Sequence, residues 1–146
     1  MFSQTAEYAL RAVTYLAGED GPRTTEQIAL ATRVPSAYLS KIMQALSKAG
    51  LVSSQRGLRG GSMLLHDPDD ISILDVINAV DPLKRIRTCP LGLEEHGTKL
   101  CKLHRQMDDA MAIVETTLAS VRISELTSER KSSKSCRFPR AVASEQ

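Results

Sequence analysis

Aromatic side chains are nearly missing from this chain: they make up 3% of residues, and there is no tryptophan. That argues against stacking platforms for single-stranded nucleic acid, which need rings spaced along a groove. Cysteine is scarce as well. Cys89, Cys101 and Cys136 are three in number, an odd count that makes a disulfide framework a poor explanation and leaves ligation, redox sensing or plain burial. No apolar run approaches the length of a membrane span, and the start, Met1–Glu7, has no basic segment leading into an apolar one. A cytoplasmic location with no membrane contact is therefore expected. Acidic residues are missing from one long stretch: between Gln27 and His66 there is no Asp or Glu, while Arg33, Lys41, Lys48, Arg56 and Arg59 all fall there. The formal net charge of +2 hides this one-signed region, which suits a polyanionic partner because Lys and Arg displace the counterions condensed on phosphates.

What is present is mostly helical periodicity. Ala6, Ala9, Leu10, Val13, Leu16 and Ala17 form an opening amphipathic helix, closed by the breaker Gly18-Glu19-Asp20-Gly21-Pro22. Thr24 and Gln27 make a capping-box pair ahead of a short second helix to Thr32. Ser36 is expected to cap a third helix that buries Leu39, Ile42, Met43 and Leu46 and ends at Gly50. The opposite face, Ser36, Ser40, Lys41, Gln44, Ser47 and Lys48, is polar, basic and free of acids.

After Gly50 the period shortens. Leu51–Gln55 and Ser62–Leu65 flank Arg56-Gly57-Leu58-Arg59-Gly60-Gly61, the pattern of a hairpin with a flexible tip. Ser72 and Asp75 pair at the start of a fourth helix carrying Ile73, Val76, Ile77 and Val80. Residues 83–100 lack a period and contain Pro90, Gly92 and Gly97. A long helix with the stripe Leu103, Met107, Ala110, Val114 and Val121 follows, and such a stripe needs either the chain's own core or the same helix of a second copy. The expected organisation is a DNA-binding domain over 1–82, a cysteine-containing loop over 83–101, a dimerisation helix over 102–126 and a basic tail over 127–146.

The fold class expected is mainly α with a small β-hairpin wing: a winged helix-turn-helix plus a long C-terminal dimerisation helix. In that fold the second helix of the pair enters the major groove. Ser36, Ser40, Lys41 and Gln44 present donors and acceptors suited to base edges. Lys48 suits a phosphate, and Tyr38 either the core or a phosphate. Arg56 and Arg59 at the glycine-rich tip suit a narrow minor groove. Double-stranded DNA, a palindromic operator and a homodimer are the expected partners. The competing class is a protein-interaction module, which would need a strongly acidic partner. An enzyme is not expected, since no nucleophile turn, phosphate loop or paired carboxylate site is present.

Ala6-Glu7-Tyr8-Ala9-Leu10-Arg11, Pro35-Ser36-Ala37-Tyr38-Leu39, and Gly50-Leu51-Val52-Ser53-Ser54 with Arg56-Gly57 and Gly60-Gly61 resemble the Rrf-two family of bacterial regulators. The resemblance spans roughly residues 1–126. It implies a dimeric winged-helix regulator of transcription, a repressor in this reading, often carrying a sensory iron-sulfur cluster. Cluster-binding members hold it with three cysteines in the loop. Cys89 and Cys101 match the outer two, but Glu95, beside His96, stands where the middle one belongs. His104 matches a histidine ligand of part of the family, and Glu7 a carboxylate that reaches the partner subunit's cluster. Two thiolates, a histidine and a carboxylate favour a two-iron over a four-iron cluster, mixed ligation being chemically feasible. Zinc on Cys89, His96, Cys101 and His104, a thiol switch between Cys89 and Cys101, or a loop with no ligand stand as alternatives. Cys136, among basic residues of the tail, is read as incidental.

Overall fold

The computed structural model of the chain describes residues 2–92 and 99–128. Among these residues six helices and one hairpin run in the order α1 (Gln4–Ala17), α2 (Thr25–Thr32), α3 (Ser36–Lys48), β1 (Val52–Gln55), β2 (Gly61–Leu64), α4 (Ile73–Val80), α5 (Lys102–Ser120), α6 (Ile123–Ser128). The mainly α winged helix-turn-helix class expected from the sequence is the architecture found. The segments carrying His96, Glu95, Cys136 and the basic tail from residue 129 lie outside the described residues.

Local signals place most helix starts. The Ser3 hydroxyl accepts the Ala6 amide at 3.1 Å, and both halves of the Thr24/Gln27 and Ser72/Asp75 capping boxes are formed. Each box satisfies amides that a helix start otherwise leaves unpaired. Helix α3 departs from expectation. Ser36 is its first helical residue, Pro35 is the N-cap, and no side chain caps it. Proline's locked φ, here −58°, sets the entry direction without one.

The core forms where α1, α2, α3 and α4 face one another. Ile28, Leu39, Leu46, Val13, Val52 and Val76 are sealed within it. The hairpin pairs Val52 with Leu64 and Gln55 with Gly61. Arg23 adds a one-residue third strand: its amide donates to the Ser62 carbonyl at 2.9 Å and its carbonyl accepts the Ser62 amide at 2.7 Å. A Cβ on Gly61 would lie 2.7 Å from that Arg23 carbonyl oxygen, so the close approach requires glycine there.

The long helix expected from Lys102 to about Val121 is found, but the rest of the 102–126 dimerisation segment is a break followed by a second helix. α5 stops at Ser120, Val121 is extended, and the chain turns back. The Ile73 amide donates to the Val121 carbonyl at 3.0 Å and the Ile123 amide to the Ile71 carbonyl at 2.9 Å. Ile123 is wholly buried in the core, so α6 is anchored to the core that α1–α4 build. Burying one isoleucine outweighs continuing a helix into solvent.

Candidate nucleic-acid interface and the thiol-imidazole pair

Helix α3 divides cleanly. Leu39, Ile42, Met43 and Leu46 are buried, whereas Ser36, Ser40, Lys41, Gln44, Ser47 and Lys48 are all exposed. The split follows from the apolar spacing, which rotates every polar residue to one side. Between this face and the hairpin runs a cleft of about 590 Å³. Ser40, Gln44, Ser47 and Lys48 line its helix wall, Ser54 and Gln55 its hairpin wall. None of these six is acidic, and Lys48 gives the cleft its positive charge. Ser47, Ser54 and Gln55 join the expected contact residues in lining this cleft. Strand alternation was the available signal: Ser54 and Ser62 face each other across the register, with hydroxyl oxygens 3.1 Å apart.

Beyond the cleft the tip turns back on itself, the Gly60 amide donating to the Gly57 carbonyl at 2.9 Å. Arg56, just before that turn, and Arg59, within it, are both exposed. A Cβ on Gly60 would fall 2.3 Å from the Gln55 carbonyl oxygen, so only glycine fits this corner.

Tyr38 is 58% exposed and packs its ring edge against Tyr8 at 6.4 Å. Tyr8 lies under the Arg11 guanidinium at 5.5 Å. Arg11 also donates to the Thr32 carbonyl at 3.3 Å and pairs with Glu7 at 2.6 Å. Glu7 is thus held by a neighbour one turn along α1, on a line of contacts that ends at the start of α3.

The loop after α4 carries the other chemistry. Cys89 is buried and Cys101 half-buried, neither in a disulfide. Cys101 is the N-cap of α5, and its sulfur lies 3.3 Å from His104 Nδ1. The i, i+3 spacing across the first turn of a helix brings these two groups together. Among the described residues no three His, Cys, Asp or Glu side chains converge on a metal-sized point. Of the expected ligands the structure joins Cys101 to His104, and no third such side chain among the described residues completes a group with them; Glu7 is expected to act on the partner subunit's site.

The same loop is fastened to α5 by charge. Arg85 grips Asp108 with two bonds of 2.6 Å and reaches Glu115 at 3.2 Å. The Ile86 amide donates to Asp108 at 2.9 Å. The Arg85 hydrogen bonds and the Ile86 amide hold the Asp108 carboxyl down to about 2, and the two carboxylates push the Arg85 guanidinium above its usual range. Sequence reasoning offered no signal for this network, whose members are far apart in the chain.

A helix-turn-helix with a glycine-tipped wing and an acid-free polar recognition face defines a DNA-binding regulator of transcription. The comparisons with known proteins give its lineage. The sequence profile of the Rrf2 (Rrf-two) family, described as an iron-dependent transcriptional regulator, matches residues 2–129, and the chain belongs to that family. A protein of Aquifex aeolicus described as an HTH-type transcriptional regulator is 32% identical over 130 residues, covering 86% of this chain and 90% of its own. The HTH-type transcriptional regulator IscR of Photobacterium profundum is 31% identical over 121 residues, covering 82% and 70%. Among solved structures, CymR, the global cysteine regulator of B. subtilis, superposes with a TM-score of 0.68 at 25% identity over 88% of this chain and 96% of its own. T. potens IscR superposes with a TM-score of 0.75 at 24% identity over 94% and 93%. The family and these relatives are regulators of transcription, not enzymes. No helix among the described residues is long and apolar enough to cross a membrane.

Proposed function

We propose that the chain acts as a homodimeric repressor on a palindromic operator, with α3 in the major groove and the hairpin in the neighbouring minor groove. The acid-free face of α3, continuous with the cleft and the two tip arginines, carries the reading. Ser36, Ser40, Lys41 and Gln44 contact base edges, Lys48 a phosphate, and Arg56 and Arg59 the minor groove. Tyr38 serves as packing against Tyr8 first and as a backbone contact second.

Dimerisation rests on α5. Leu103, Met107 and Ile113 are 65%, 49% and 69% exposed on this helix, an apolar surface that the same helix of a second copy would cover. Two-fold symmetry then matches the two halves of a palindrome, and the angle between the α5 helices sets the half-site spacing.

The 83–101 loop is the sensory element in this reading, because it links α4 to α5 and carries Cys89 and Cys101, the latter beside His104. The Cys101–His104 pair offers a soft sulfur and an imidazole, donors suited to iron or zinc, and the family resemblance favours a two-iron cluster. His96 and the partner subunit's surface are where further ligands would come from. Purification without oxygen, with iron, zinc and sulfide analysis beside Cys101→Ser and His104→Ala, tests this. Stoichiometric metal lost in both variants supports a metal sensor. Metal-free protein whose operator affinity changes on thiol oxidation replaces it with a thiol switch, and metal-free protein indifferent to oxidation removes the sensory role. Salt-sensitive, sequence-selective binding to duplex DNA tests the operator reading itself.

A further inference from the structure

We infer that Leu58 is an apolar wedge that the wing drives into the minor groove, so that the protein selects an easily unstacked base step and bends its operator there. The inference rests on the DNA-binding reading and adds to it a specificity residue that is neither charged nor hydrogen-bonding.

Leu58 has 109% of a reference leucine's exposure, the highest among the described large apolar residues. A solitary exposed leucine is ordinary on a protein surface; its position is what distinguishes this one. The Gly60 amide to Gly57 carbonyl bond closes a four-residue turn, so Leu58 and Arg59 are the two central residues and project from the corner. Gly60 is confined to glycine by the Gln55 carbonyl, which makes the corner a built feature of the hairpin. Arg56 precedes the turn, so the leucine is bracketed by two guanidinium groups.

Groove geometry says where that corner goes. With α3 in the major groove, the sugar-phosphate strand that separates the two grooves passes between helix and hairpin, across the cleft lined by Ser47, Lys48, Ser54 and Gln55. The tip beyond the cleft therefore lies over the adjacent minor groove, about 6 Å wide in B-form DNA, too narrow for a helix and wide enough for one turn. Arginine is drawn to the negative potential of a narrow minor groove. An apolar side chain beside it inserts between base pairs, unstacks them and kinks the duplex toward the major groove. Pyrimidine–purine steps unstack most readily, so a preference at a base step that makes no hydrogen bond to the protein follows.

The test uses the full chain and a duplex that the wild-type protein retains from a randomised pool, labelled at both ends for energy transfer. Wild type, Leu58→Ser, Leu58→Phe and Arg59→Ala are compared for affinity at several salt concentrations and for bend angle. Leu58→Ser is expected to keep its thermal midpoint, lose roughly tenfold in affinity, straighten the duplex and lose the step preference, with an unchanged salt slope. Leu58→Phe keeps the bend. Arg59→Ala keeps the bend but lowers the salt slope by about 0.9. A Leu58→Ser protein that binds and bends as wild type does, while Arg59→Ala is weakened, overturns the wedge and leaves DNA binding intact. Failure of the wild type to retain any duplex overturns the DNA-binding reading itself.

Discussion

Helices α3 and α5 solve opposite problems. α3 buries Leu39, Ile42, Met43 and Leu46 and turns polar groups to solvent. α5, the longer of the two, buries only Asp108 and leaves Leu103, Met107 and Ile113 exposed. A helix that turns a carboxylate toward its own chain and leucine toward water is inside-out for a monomer. The DNA-facing region is complete within one chain, whereas the C-terminal region is held to it by one polar grip and one buried isoleucine and finished by a second copy in the proposed dimer. Evidence of that division is concentrated at two joints: the Arg85–Asp108 grip at the start of α5 and the Ile123 anchor after its end.

The largest expected effect breaks the second joint. Ile123→Ala removes a wholly buried side chain from the shared core and should cost about 2–5 kcal/mol of stability in a denaturant titration. A cost well under about 1 kcal/mol would mean that α6 is peripheral and that the two regions are coupled only through the 83–92 loop. The next effect separates the two helices by function. Leu103→Asp together with Ile113→Asp should leave the monomer's thermal midpoint nearly unchanged, since both positions are exposed, yet convert the dimer to monomer in sedimentation. Operator affinity should then fall about a hundredfold, because two linked half-site contacts become independent. A dimer that survives both changes would place the self-association surface elsewhere.

The same contrast explains what could be read from the sequence. α3 was legible because its apolar and polar residues alternate at helical spacing, and the starts of α2 and α4 because Thr24/Gln27 and Ser72/Asp75 are capping pairs within one turn. The wing showed itself by glycines between two short strands. The proximity of Cys101 and His104 was also local, a spacing of three at a helix start. What escaped were contacts between distant segments with no period to announce them. Arg23 joins Ser62, Arg85 joins Asp108, and Ile123 enters the core from the far side of α5. The spacing predicts one apolar face along Leu103, Met107, Ala110, Val114 and Val121; the structure leaves the first three exposed and half-buries Val114 and the C-cap residue Val121.

Single changes on the reading face sharpen the comparison from the DNA side. Lys41→Ala should cost about 1–3 kcal/mol of operator binding and relax the preference at one base position. Lys48→Ala should weaken binding to all sequences alike and lower the salt slope by about 0.9. Both residues are exposed, so folding should be untouched. Equal, sequence-independent losses from the two would mean that α3 tracks the backbone and that bases are read elsewhere.

The smallest effect is a pH dependence, and it isolates the first joint. Asp108 is held down to about 2 from its ordinary 3.8, chiefly by its hydrogen bonds with Arg85. A carboxyl depressed on folding contributes stability that is fully present above its unfolded value and is lost as pH falls through the folded one. The window therefore opens just below pH 4 and closes near pH 2, on the acid side only. Between pH 5 and 8 the pair contributes a constant amount, so neutral titrations cannot reveal it. Asp108→Asn keeps the shape but accepts less strongly from Arg85, and it should flatten the stability curve between about pH 4 and 2 relative to wild type. If α5 is coupled to the rest through this grip, hydrogen exchange in the first turns of α5 should quicken in the variant at neutral pH while amides of α3 keep their protection. Equal loss of protection in both helices would show that the carboxylate stabilises the whole fold and that the two regions do not open separately.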